Sequence, residues 1–201
     1  MLRATASISL ACALLASACA RDPEPEICPA AGPGDLVISE VRGPQAGGDT
    51  WGQWVELYNA SGATLDLEGT VVDLVSVDGS HRYRILVRRG LEVGAGAYAV
   101  IGDFPDATRP THVDYGAGYD LDGAFPATGG LTVTGCGGEV LDRLVFDGLP
   151  PTGTWSLGDD PPTADGNDDP TAWCADTTPG DTTELGLPGT PGAANHPCPV
   201  P

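Results

Sequence analysis

Residues 53–59, Gln-Trp-Val-Glu-Leu-Tyr-Asn, constrain this chain more than any other stretch. On an extended backbone Trp54, Glu56 and Tyr58 fall on one side and Val55 and Leu57 on the other. Period-two alternation of β-branched and aromatic side chains suits a strand of a half-buried sheet. Asn59-Ala60-Ser61-Gly62 then turns the chain, because these residues bond their own backbone or accept positive φ. The reading is a core strand without chemistry of its own, Glu56 included.

The same punctuation recurs along the chain, which carries 29 glycines and 19 prolines in 201 residues. That composition favours many short strands and turns over long helices. Strands are expected over residues 35–42, 53–59, 70–77, 81–87, 97–102, 131–134, 139–146 and 154–157, the last of the series. Asp78-Gly79 and residues 135–138 read as hairpin turns. Residues 103–130, with Pro105, Pro110 and Pro126, read as a long loop holding at most one short strand. About eight short strands at this spacing predict an all-β fold, a sandwich or a barrel. The inward set is Leu36, Ile38, Val55, Leu57, Val72, Leu74, Ile85, Tyr98, Val100, Leu131, Val133, Val140 and Val145. Each such side chain, fully buried, contributes roughly 1.5–3 kcal/mol, enough in sum for a core.

The first 18 residues read as an export signal: Arg3, then a short run of small and apolar residues. Leu14-Leu15-Ala16-Ser17-Ala18-Cys19 resembles a bacterial lipoprotein lipobox, with Ala16 where Leu is commoner. The resemblance implies that Cys19 is lipidated and begins the mature chain, and Ala20 after it favours outer-membrane sorting. The alternative is an ordinary cleaved signal with Cys19 incidental. Residues 19–33 alternate Pro and acid and read as an extended tether. Residues 34–158 form the folded domain, and residues 159–201 a tail rich in Gly, Pro and Asp. Export leaves Cys28, Cys136, Cys174 and Cys198 for disulfides. Four cysteines allow three pairings. Their placement favours Cys174–Cys198, closing a local loop in the tail, and Cys28–Cys136, joining the tether to a hairpin tip.

Acidic residues number 28 against 9 basic ones, all arginine, for a net charge of −19. Such a field repels polyanions and counts against nucleic-acid binding. Arg82, Arg84, Arg88 and Arg89 nevertheless concentrate positive charge and form a candidate anion patch, set against the plainer reading of a solvated face. Asp165, Asn167 and Asp169 have calcium-loop spacing, but Pro170 stands where the loop needs Gly, so no metal is expected. No His pair has metal-ligand spacing, and the chain has no lysine to serve a phosphate loop. Thr154-Trp155-Ser156-Leu157-Gly158 lacks the first Gly of a nucleophile elbow. No nucleophile, base and orienting group stand out together, so an enzyme is not expected, nor a cofactor.

Six stretches carry a family resemblance. Asp35-Leu-Val-Ile-Ser-Glu-Val41, Trp54-Val-Glu-Leu-Tyr-Asn59 and Leu65-Asp-Leu67 with Gly69 resemble the opening of a lamin-tail domain. Gly94-Ala-Gly-Ala-Tyr-Ala-Val-Ile101 and Gly138-Glu-Val-Leu-Asp-Arg-Leu-Val-Phe146 resemble its later strands. Gly189-Thr-Pro-Gly-Ala-Ala-Asn195 resembles a signature that follows the domain in secreted bacterial members. The resemblance implies an immunoglobulin-like β-sandwich. With the export signal, it implies a non-enzymatic, lipid-anchored extracytoplasmic binding or structural module. Its partners would be the membrane, through Cys19, and an envelope or surface protein or glycan. The alternative is an accessory domain that recruits a secreted hydrolase or nucleic acid.

Overall fold

The computed structural model describes residues 28, 30–47, 49, 51–135, 137–178 and 187–199. Among them twelve strands follow in chain order. They are β1 (Leu36–Arg42), β2 (Trp54–Asn59), β3 (Leu65–Asp66), β4 (Val71–Ser76), β5 (Arg82–Leu86) and β6 (Glu92–Val93). After these come β7 (Tyr98–Gly102), β8 (Tyr115–Gly116), β9 (Gly129–Thr134), β10 (Val140–Phe146), β11 (Thr154–Leu157) and β12 (Trp173–Asp176). One helical turn, α1 (Ala164–Asn167), is the only α-helix among the described residues. The fold is all-β, as the punctuated alternation of the sequence predicts.

The strands form a six-stranded sheet ordered β12-β11-β1-β2-β7-β8 and a four-stranded sheet ordered β10-β9-β4-β5, with β3 and β6 as a separate pair. Leu36, Ile38, Val55 and Leu57 of the first sheet share one buried core with Val72, Leu74, Ile85, Leu131 and Val133 of the second. The β4–β5 hairpin turns at Asp78-Gly79. Asp78 Oδ1 accepts from Ser76 Oγ and the Ser80 amide, which fixes the register across Val75 and Arg82.

The sequence reading needs three corrections here. Val145 is 81% exposed: Leu144 and Phe146 point into the core, and period-two geometry turns the residue between them outward. Tyr98 and Val140 are only half-buried. The largest correction is that the six-stranded sheet is covered on both faces near its centre. All seven residues of β1 are buried, as are Trp54 and Glu56, the pair expected on the more open side of β2. The cover comes from the C-terminal segment, where Leu187 packs with Trp54, Val100 and Val113. That segment is part of the fold rather than an appendage, since β12 extends the sheet by pairing with β11.

The Cys174–Cys198 disulfide forms and ties β12 to the chain end. Cys28 is exposed and carries no disulfide, so the expected Cys28–Cys136 bond is not formed. That expectation rested on an even cysteine count and on the placement of Cys28 and Cys136 along the chain. The chain between Cys28 and β1 is held without it: Ala31 packs in the core, and the Gly34 amide donates to the Leu141 carbonyl at 2.8 Å. Cys19 and Cys136 lie outside the described residues.

Candidate functional site

A β-bulge organises the covered face. The β1–β2 register shifts between Ile38 and Glu40, leaving Ser39 as the extra residue. Beyond it Glu40 stands directly across from Glu56, with Ser156 of β11 on one flank and Val100 of β7 on the other. Two carboxyl groups thus sit side by side on neighbouring strands, and both residues are fully buried.

Every carboxylate oxygen of the pair is claimed by the chain itself. Glu40 Oε1 accepts from Thr154 Oγ1 at 2.7 Å, Ser156 Oγ at 2.9 Å and the Thr190 amide at 3.1 Å. Glu40 Oε2 accepts from Trp54 Nε1 at 3.3 Å. Glu56 Oε1 accepts from Ser39 Oγ at 2.7 Å, and Oε2 from the Gly192 amide at 2.6 Å. The clasp closes at Asn195, whose Nδ2 donates to the Ser39 carbonyl at 2.7 Å and whose Oδ1 accepts from Thr190 Oγ1 at 2.6 Å. Gly189 has φ +86°, and a Cβ there would stand 2.6 Å from Glu40 Oε1. Glycine is required at that point because the backbone passes against the carboxylate.

Burial raises the Glu40 pKa, against the pull of its four donors. Burial raises Glu56 well above the usual carboxylate range, and the neighbouring Glu40 charge raises it further. Two adjacent carboxyls in a dry site do not both ionise cheaply, so the pair retains a proton more firmly than an exposed acid does. Chemically this is a proton-holding anchor for backbone amides.

A second buried acid lies on the other side of β1. Asp142 Oδ2 accepts from the Ile38 amide at 2.7 Å and from Asn167 Nδ2 at 2.5 Å, and burial pushes its pKa up to about 6. Asn167 therefore serves as a strut between α1 and β1. Its calcium-loop companions diverge: Asp165 is exposed, and Asp169 Oδ1 accepts from the Thr171 amide at 2.8 Å. Among the described residues no three of His, Cys, Asp or Glu gather to hold a metal.

The four clustered arginines each face an aspartate. Arg82 and Arg84 flank Asp73 at 3.3 and 3.6 Å. Arg88 grips Asp120 with both terminal nitrogens, at 2.6 and 2.8 Å. Arg89 grips Asp106 through Nε and NH2, both at 2.7 Å, and stacks over Tyr115. Each thus has an acidic partner, Arg82 and Arg84 sharing one, while Arg82, Arg84 and Arg88 stay largely exposed.

Sequence reasoning missed two features. One is the meeting of Glu40, Glu56 and residues 189–195. Its signal was the Gly-Thr-Pro-Gly segment itself, a turn sequence with no hairpin of its own to close. The other is a cavity of about 590 Å³ lined by Arg143, Phe146, Asp147, Trp155, Asp168 and Trp173 among others. Trp155 and Trp173 build its floor from strands β11 and β12, with rings 6.4 Å apart and 12° from parallel. The missing signal was β12, whose four residues sit amid Pro, Asp and Gly.

No family model matches the chain, and no curated protein matches it.

Proposed function

We propose that this protein is a non-enzymatic, lipid-anchored extracytoplasmic binding module built on a lamin-tail domain of immunoglobulin-like sandwich type. The observation that carries the non-enzymatic part is the occupancy of its most perturbed acids. Glu40 and Glu56 have the burial and raised pKa values that catalytic carboxyls often show. Yet their oxygens are taken by Ser39, Trp54, Thr154, Ser156, Thr190 and Gly192 of the same chain. Such a pair is buried and bonded into the fold at every oxygen, which supports a structural role over a catalytic one.

Two further observations support the reading. The Ser-Glu, Trp-Val-Glu and Thr-Pro-Gly…Asn segments that carry the lamin-tail resemblance meet in this one clasp, which gives a physical reason for them to occur together. The Cys174–Cys198 disulfide suits an oxidising compartment, in keeping with the export signal. The lipid anchor and outer-membrane placement rest on the lipobox-like run ending at Cys19.

The test is affinity capture from envelope extract with the wild-type chain and with Glu56→Gln. A partner held equally by both, and recovered chemically unchanged, fits a binding module. A ligand that the wild type cleaves and Glu56→Gln leaves intact would show that the carboxyl pair acts on it, and the reading would fall.

A further inference from the structure

The two sheets differ in width, and the difference leaves a mouth open at one edge. β10, the end strand of the narrower sheet, packs across from β1. β11 and β12 therefore overhang it, and their inward face carries Trp155 and Trp173. These two are diagonal cross-strand neighbours, since Trp155 pairs with Ala175 and Trp173 lies two residues before it. Trp173 is fixed: it is 5% exposed and its Nε1 donates to the Asn167 carbonyl at 2.9 Å. Trp155 is half-buried, and its Nε1 has no partner among the described residues. The result is a rigid shelf of two near-parallel indoles, of which Trp155 reaches solvent.

Unpaired charges of both signs stand together on the rim of this mouth. Six of the described arginines, Arg42, Arg82, Arg84, Arg88, Arg89 and Arg109, pair with aspartates. Arg143 is the exception among the described residues, and it lines the cavity. The side chains of Asp147 and Asp168, also on the rim, likewise make no hydrogen bond or ion pair among the described residues. In the wall, Asn167 is 2% exposed and its Oδ1 has no donor. Unpaired donors and acceptors therefore stand together around an apolar floor.

We infer that this groove binds a neutral β-1,4-linked oligosaccharide of all-equatorial pyranose units, an inference that rests on the proposed binding role. Such a ring presents C–H groups on its two faces and hydroxyls around its edge. The faces match the indole shelf, and the hydroxyls both donate to Asp147 and Asp168 and accept from Arg143. An anionic ligand would meet two carboxylates and a field set by a net charge of −19. A cation would leave Arg143 facing it. An aliphatic helix would leave the whole rim unpaired and desolvated. The volume of about 590 Å³ lies within the range of small-molecule sites.

The experiment is titration of the full-length chain in detergent with cellohexaose, read by calorimetry and tryptophan fluorescence, with product analysis of the recovered sugar. Saturable binding is expected, weakened about tenfold by Trp155→Ala through loss of the stacking face. The exposed pair Arg143→Ala with Asp168→Ala is expected to weaken binding about fivefold or more with melting temperature unchanged, so the inference does not hang on Trp155→Ala folding. Absence of saturable binding at millimolar cellohexaose overturns the groove assignment and leaves the anchored-module reading standing. So does binding that neither variant changes, or a preference for polygalacturonate or a polyproline peptide over cellohexaose. Recovery of shortened sugar would overturn the non-enzymatic reading instead.

Discussion

Glu40 gives the sharpest test of the buried clasp, because two substitutions at one position separate hydrogen bonding from charge. Glu40→Ala strips the acceptor from Thr154, Ser156, Thr190 and Trp54. The two hydroxyls stand 2.8 Å apart and can then bond each other, which strands at most one O–H. The Thr190 amide and Trp54 Nε1 have no such substitute, and each buried unpaired donor costs about 1–3 kcal/mol. Relief of the Glu56 repulsion offsets part of that, and the expected net loss is about 3 kcal/mol. Glu40→Gln keeps an oxygen for the Oε1 donors and removes a charge from a dry site, so its expected cost is under about 1 kcal/mol. The sign with pH follows from burial. Both carboxyls titrate above 4.5 when folded, so the native state holds protons that the unfolded chain has released. Stability therefore declines as pH rises from that value through the folded values. Glu40→Gln removes Glu40's share and the repulsion that raises Glu56, which flattens the decline. Urea unfolding monitored by tryptophan fluorescence across pH 4 to 9 measures both effects. Equal losses for Ala and Gln, or a loss for Ala below about 1 kcal/mol, would refute the claim that these hydrogen bonds hold the C-terminal segment down.

Three other outcomes follow from the same geometry. Asp142, pushed up to about 6, costs stability when ionised, so wild-type stability falls as pH rises through the window from 3.8 to about 6. Asp142→Asn is expected to remove Asp142's share of that slope in parallel urea titrations, leaving the share of Glu40 and Glu56, since the unpartnered Asn167 Oδ1 can turn to accept from the new amide. Gly189→Ala forces a Cβ towards Glu40 at φ +86° and is expected to cost at least about 2 kcal/mol in thermal melts, against little for Ala at the exposed Gly62. Replacing Cys174 and Cys198 by Ser opens a loop with a separation of 24 and is expected to cost about 3–4 kcal/mol by urea unfolding.

What the sequence disclosed and what it hid divide along the range of the interactions. The strand at 53–59, the Asp78-Gly79 hairpin and the core positions Ile38, Leu57, Val72 and Leu131 are set by local alternation and turn chemistry. All were readable from the chain. The fate of the opposite face of β2 was not, because its cover comes from residues as distant as Thr190, 150 positions from Glu40. Nothing near Glu56 says whether water or a backbone amide will meet its carboxylate. Val145 was misplaced because Val140 and Val145 differ in parity, and alternation alone does not reveal the bulge between Val140 and Asp142. β12 escaped because its four residues alternate too briefly to outweigh the Pro and Asp around them; pairing with β11 defines it. Of the cavity, only the separate tryptophans were visible. Their stacking depends on a register between two strands, one of which was not expected.

The most direct test of the proposed role is where the protein goes. Cells making the full-length chain, wild type or Cys19→Ser, are fractionated and each fraction is partitioned into detergent. Wild type recovered with the outer membrane and in the detergent phase, with Cys19→Ser released to the aqueous phase, is the predicted result. Wild type found in the aqueous phase after export, or retained in the cytoplasm, would contradict it.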